Sequence, residues 1–230
     1  MLTTALVIIV ISAALIVGAV WGVYWPLPKR VKGAMVAFAG GALITSLSFE
    51  LFEPAVESAG LLKACLGLLD GAGVLTVADY LIDEKWGDKS GGGLLAAVTL
   101  DGIPENIAMG VALVGASVHD VAALAASIFL SNLPEAAGGA ADMKKQGWSK
   151  LKIVGLWSAT AALLSGAALG GNLAVESLGD DTIAIIRAFA AGAVVASLAT
   201  EVFPQAFQET HHEAGIATAL GMALAFALGA

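Results

Sequence analysis

The sequence predicts an all-α polytopic membrane protein, and three observations carry that expectation. Mean hydropathy is +0.87 and only 13% of the 230 residues are charged, well outside the composition of an ordinary soluble domain. Residues 2–28 and 153–175 carry no charge, and each run exceeds the roughly 20 apolar residues that cross about 30 Å of hydrocarbon. Charges, Gly and Pro divide the rest of the chain into apolar runs of similar length, so that eight helices are expected.

The first helix is expected over residues 2–25. Its opening MLTTALVIIV has no basic residue ahead of the apolar run, and no small-residue cleavage site precedes Trp25-Pro26, so it reads as a span and not as a removable signal peptide. PLPKRVK at 26–32 separates it from helix 2 at 33–56, and Gly60 from helix 3 at 61–82. DEKWGDKSG at 83–91 precedes helix 4 at 92–115, and helix 5 covers 121–142. MKKQGWSKLK at 143–152 leads to helices 6, 7 and 8 at 153–175, 182–207 and 214–230. The three segments 26–32, 83–91 and 143–152 hold nine of the eleven basic residues. The positive-inside rule places them in the cytoplasm and both termini outside.

Charge and cysteine content narrow the partners. A net charge of −8 opposes a nucleic-acid role, which needs a basic patch. Metal cations and the lipid bilayer are the expected partners. Cys65 is the single cysteine; it has no intrachain disulfide partner and is expected to pack as a small hydrophobe.

The chain repeats itself. AFAGGALITSLSFELFEPA at 37–55 aligns without a gap on AFAAGAVVASLATEVFPQA at 188–206, a constant shift of 151, with ten identities that include Glu50 with Glu201 and Phe52 with Phe203. Helix 2 is expected to run outward and helix 7 inward, so the repeat is inverted. One domain over 1–230 follows, arranged 3+2+3: a first repeat over about 2–82, a central antiparallel pair over about 92–142, and a second repeat over about 153–230. Inverted repeats with a site on interrupted helices near the bilayer midplane are a transporter arrangement.

The central pair holds the chemistry. LDGIPENIAMG at 100–110 and LSNLPEAAGGA at 130–140 share Leu-x-x-x-Pro-Glu. A carboxylate at mid-bilayer costs roughly 2.5 to 3.5 kcal/mol on insertion scales, so it faces a cavity or a partner. Asp101 and Glu105 are four residues apart and share one helix face; Glu135 takes the matching depth on helix 5, with Ser131 one turn back and Asn132 beside it. Pro104 and Pro134 donate no N–H, which frees the carbonyls of Leu100 and Leu130 for a cation or water. The plain alternative is that both prolines only kink their helices, which spanning helices tolerate. No Lys or Arg falls within residues 90–143, so the carboxylates point to an imported cation or to protons.

These motifs resemble the ZIP (Zrt/Irt-like) family of divalent-metal transporters, closest to its bacterial GufA-like branch, over nearly the whole chain. The His-Asn-x-Pro-Glu-Gly motif of that family is matched by Asp101, Gly102, Pro104, Glu105 and Asn106, and its Gln-Asp-x-Pro-Glu-Gly motif by Ser131, Asn132, Pro134, Glu135 and Ala136. Helix 2 resembles the branch's AFAAG-type helix, with Pro54 and Glu57 as its later proline and acid. The His-Glu-x-x-Pro-Glu pattern of helix 7 becomes Thr200, Glu201, Pro204 and Gln205. The resemblance implies eight helices in an inverted 3+2+3 arrangement, divalent metal transport and a possible homodimer. Only the Pro and Glu positions agree fully. The family His is Asp101, all three histidines lie in expected loops, and Gly102, Asn132 and an uncharged helix 6 replace the second-metal ligands of some relatives, which puts a binuclear site in doubt.

The expected site is therefore all oxygen: Asp101, Glu105 and Glu135, with Ser131 or Asn132. Such ligands favour Mn²⁺ or Fe²⁺ first and Zn²⁺ next. Glu50 and Glu57 are expected to line the outer mouth, and Glu201, His211 and His212 the inner path. Glu53, Glu176, Asp180 and Asp181 read as solvated loop acids, and Asp70 and Asp79 fall on opposite faces of helix 3. An intramembrane metalloenzyme would call for Glu-x-x-His pairs on its helices; no His lies in the expected site helices, so no enzymatic activity is expected. The alternative is a metal-binding or regulatory protein of this type that moves no metal. A bacterial inner membrane is the default location.

Overall fold

The computed structural model describes residues 2–25, 27–86, 91–114, 121–175 and 178–229. His119, Lys89 and Glu176, and the side chains of Asp101 and Lys85, lie outside the described residues. Every regular element described is helical: α1 Leu2–Tyr24, α2 Lys29–Ala59, α3 Leu61–Trp86, α4 Gly91–Ala112, α5 Ala122–Lys145, α6 Lys150–Val175, α7 Asp180–Thr210 and α8 Glu213–Gly229. Thr4–Tyr24, Lys29–Ala59, Leu61–Leu81, Lys150–Val175 and Asp180–Thr210 are long and apolar enough to cross a bilayer. These are the features of a helical, multi-pass membrane protein. The middle of α5 is diluted by Ser127, Ser131, Asn132, Pro134 and Glu135. The first four of these are buried, so its polarity is turned into the bundle.

The basic segments expected as loops are largely helical. Lys29, Arg30 and Lys32 form the first turn of α2, Lys144 and Lys145 the last turn of α5, and Lys150 and Lys152 the first turn of α6. No Gly or Pro interrupts 29–32, and Pro28, with φ −57° and ψ 136°, stops the helix just before it. Helices extended by a turn carry their lysines as long stems that follow apolar surface to a polar end.

Packing follows the shift of 151. The helix α1 lies along α5 and α6 along α4; α2 lies along α8 and α7 along α3; α2 also meets α5, and α7 meets α4. Backbone approach is closest at glycines. A Cβ on Gly41 would sit 2.0 Å from the Thr218 carbonyl oxygen, and one on Gly221 would sit 1.9 Å from that of Phe38. At the corresponding contacts of α3 and α7, a Cβ on Gly192 would meet the Leu68 oxygen at 1.8 Å and one on Gly71 the Phe189 oxygen at 1.9 Å. Small residues at such crossings are how helices associate where lipid offers no hydrophobic gain.

Two departures from regular helix also recur. Ser48–Phe52 in α2 and Leu198–Val202 in α7 are widened π turns, in which the Glu53 N–H bonds to the Ser48 carbonyl and the Phe203 N–H to that of Leu198. Pro54 and Pro204 follow. A proline ring presses on the carbonyl four residues earlier, and a widened turn gives that carbonyl room. The helices end alike: Gly60 has φ 82° and His211, 151 residues on, has φ 53° and ψ −128°. Exposed ion pairs close both ends, Arg30 with Glu213 and Lys63 with Asp181. The same shift carries Arg30 onto Asp181 and Lys63 to within one residue of Glu213, so the pairing recurs with its signs exchanged.

Two consequences are measurable. Gly192→Val forces a side chain onto the Leu68 carbonyl and is expected to destabilise by about 1–3 kcal/mol or more, whereas Gly73→Ala, with nothing within 4 Å, is expected to be neutral or stabilising; thermal unfolding in detergent separates them. His211→Gly relieves a conformation that L residues avoid and is expected to raise the unfolding temperature, equivalent to about 1 kcal/mol.

Candidate metal site

The central pair places one carboxylate from each proline-bearing helix inside the bundle. Glu105 on α4 is buried, 9% exposed, and its neighbour Asn106 is 1% exposed. The Asn106 amide donates to the Gly102 carbonyl at 2.8 Å. It shares a stripe with Gly102 and Gly110, both packed on α6 at Leu164 and Ala168. That stripe is spent on helix packing, and Glu105 lies one residue round from it.

On α5 the division of faces is equally clear. Gly18 and Gly22 of α1 press on the carbonyls of Leu133 and Ala137, which commits that side to packing. Ser131, Glu135 and Gly138 form another stripe. The Ser131 hydroxyl is buried and donates to the Ile128 carbonyl at 3.2 Å, leaving its lone pairs available to a cation. Asn132 is buried, 3% exposed. Glu135 is partly buried and stands within electrostatic reach of Glu105, Glu201 and Lys32.

Lys32 is the residue that sequence reasoning missed. Read as part of a cytoplasmic loop, it instead runs along the start of α2 with its side chain 12% exposed. Its ammonium is 2.9 Å from Glu209 Oε1 on α7. A Cβ built on Gly138 would fall 2.7 Å from its Nζ and 2.7 Å from its Cε. The correction to the expectation of carboxylates with no basic neighbour follows: the basic residue comes from outside residues 90–143. Its signal in the sequence is Gly138, which follows Glu135 by one turn and leaves a slot above it.

The expected pathway residues divide. Glu50, in the first π turn, accepts the Leu124 backbone N–H at 3.1 Å, which satisfies an amide in the first turn of α5 that no intrahelical carbonyl reaches. It ties α2 to the site helix, and its Oε2 is buried with no hydrogen-bond partner among the described residues. Glu57 is exposed near the end of α2. His211 and His212 are exposed, and each lies edge-on to the Phe207 ring at 6.1 Å; that stacking, and the constrained turn at His211, do not gather them with a carboxylate. Asp70 is exposed and Asp79 partly buried, in keeping with opposite faces of α3. Among the described residues no three His, Cys, Asp or Glu side chains converge as a ready metal cluster.

The chain matches no characterised family in a scan of family patterns and no curated protein.

Glu50 supplies a direct check. Glu50→Gln retains an oxygen acceptor and is expected to leave stability nearly unchanged, while Glu50→Ala orphans the Leu124 N–H and is expected to cost about 1 kcal/mol; paired thermal unfolding curves measure the difference.

Proposed function

We propose that the protein carries divalent transition-metal cations, of the Mn²⁺, Fe²⁺ and Zn²⁺ class, into the cytoplasm through a site between α4 and α5. The observation that supports this most directly is the company of Glu135: Glu105 and Glu201 on the acidic side, and Lys32 on the basic side. Carboxylates held together away from water repel unless a cation joins them. The donors are oxygen, which suits manganese or iron ahead of zinc. Ser131 and Asn132 stand on the same helix to complete a coordination shell, and Asp101 is four residues from Glu105 on α4.

In this reading the chain crosses the membrane eight times in an inverted 3+2+3 arrangement with both termini outside. The recurrence of packing at a shift of 151, with the π turns and ion pairs repeating at that shift or within one residue of it, supports the repeat. The resemblance to the ZIP family adds support through the two Pro-Glu motifs. A cation passes the acids at the outer end of α2, binds between α4 and α5, and leaves past Glu201. Relative movement of the repeats alternates access. The second reading, a binder that moves no metal, is favoured by the absence of a ready three-ligand cluster among the described residues.

The test is uptake of radioactive Mn²⁺ into proteoliposomes, with Fe²⁺ and Zn²⁺ as competitors, for the wild type and a Glu105→Gln, Glu135→Gln double variant. Saturable uptake that the double variant loses by roughly tenfold or more is the expected result. Saturable binding without uptake selects the second reading.

A further inference from the structure

The Lys32 ammonium has no part in the proposed transport cycle, yet it is placed more carefully than a surface lysine. Its stem crosses from α2 to lie on Gly138, where only a glycine leaves room for it. Gly33, the next residue of α2, is equally confined: a Cβ there would meet Glu209 Cβ at 2.6 Å and Thr210 Cγ2 at 2.8 Å. The start of α2 is therefore pressed against the end of α7. The Lys32–Glu209 pair inside that contact is shielded, at 12% and 15% exposure, unlike the open pairs of Arg30 and Lys63. Glu209 Oε2 is buried with no hydrogen-bond partner among the described residues. One ammonium thus serves Glu209 by direct contact and Glu135 from one turn away.

We propose that Lys32 is a tethered counter-cation of the Glu105–Glu135 site: held on Glu209 and lying over Gly138, one turn from Glu135, its fixed charge balances Glu135 while no metal is bound and opposes an arriving divalent cation. This rests on the cation-transport reading and deepens it. The physical reason is competition between like charges. A divalent ion near Glu135 is repelled by an ammonium fixed over Gly138, one turn along the helix, in surroundings that screen poorly. Binding is weakened by that repulsion, which is what a site that must release its ion requires. The ammonium cannot leave with the metal, and the free Oε2 of Glu209 gives it a second acceptor close at hand. Lys32 is on this account a positioning residue, acting on the ion through Glu135.

The experiment is equilibrium binding of Mn²⁺ to detergent-solubilised protein, read from the electron paramagnetic resonance signal of free Mn²⁺. It compares the wild type with Lys32→Arg, Lys32→Met, the Lys32→Met, Glu209→Gln double variant, and Gly138→Ala. Removing the charge is expected to tighten Mn²⁺ binding by roughly tenfold; the double variant does the same without leaving a buried carboxylate unpaired, so a folding defect in Lys32→Met does not decide the matter. Lys32→Arg keeps the charge and is expected to bind as the wild type does. Gly138→Ala, which pushes the ammonium off its slot, is expected to fall between. Wild-type affinity retained in both the double variant and Gly138→Ala overturns the proposal while leaving the transport reading intact. Absence of Mn²⁺ binding in every protein, each shown to be folded, overturns the transport reading and this proposal together.

Discussion

Acidic side chains placed inside an apolar bundle form the constraint around which the rest of this protein is arranged. Glu105 is buried and Glu135 stands within electrostatic reach of Glu105 and Glu201, and a bilayer supplies no water to relieve them. Each surrounding feature reduces that cost. Polar residues of α5 point inward, Lys32 is brought in from the end of another helix, and Glu50 spends one oxygen on the amide of Leu124.

Backbone irregularity is placed with the same economy. Of the helices, α4 and α5 keep their course through Pro104 and Pro134, while α2 and α7 widen by one residue ahead of Pro54 and Pro204. The two widened turns carry Glu50 and Glu201. In a regular helix the added residue would rotate everything beyond it by about 100°. The π turn therefore sets which way each Glu faces independently of the packed segment before it, and the glycine contacts of Gly41 and Gly192 stay in register.

The sequence made the helix order legible because charge-free runs and Gly or Pro breaks are strong local signals. The end positions were less so: Lys29, Arg30 and Lys32 read as a loop because they are charged, but nothing in them breaks a helix, and the lipid boundary does not stop one. Glu105 and Glu135 stood out by being acids in oil. Lys32 did not, since its reach depends on a distant glycine and on how α2 meets α5 and α7. His211 and His212 looked like ligands by residue type alone; their places are set by a positive-φ turn at the repeat position of Gly60. The π turns were hidden because the prolines that mark them also fit an ordinary first turn of a helix.

The glycine contacts join the helices in pairs: α1 to α5 through Gly18 and Gly22, α4 to α6 through Gly110 and Gly171, α2 to α8 through Gly41 and Gly221, and α3 to α7 through Gly71 and Gly192. Each pair touches backbone to backbone, so it behaves as one stiff rod. Glu135 belongs to the first rod, Glu105 to the second, Lys32 to the third and Glu201 to the fourth. No two of these four charges share a rod. Any sliding of one rod against another changes a charge separation at the centre, and any change of charge at the centre exerts a force between rods. The separations among these four groups are in that sense set by how the rods pack, at the places where side chains are absent.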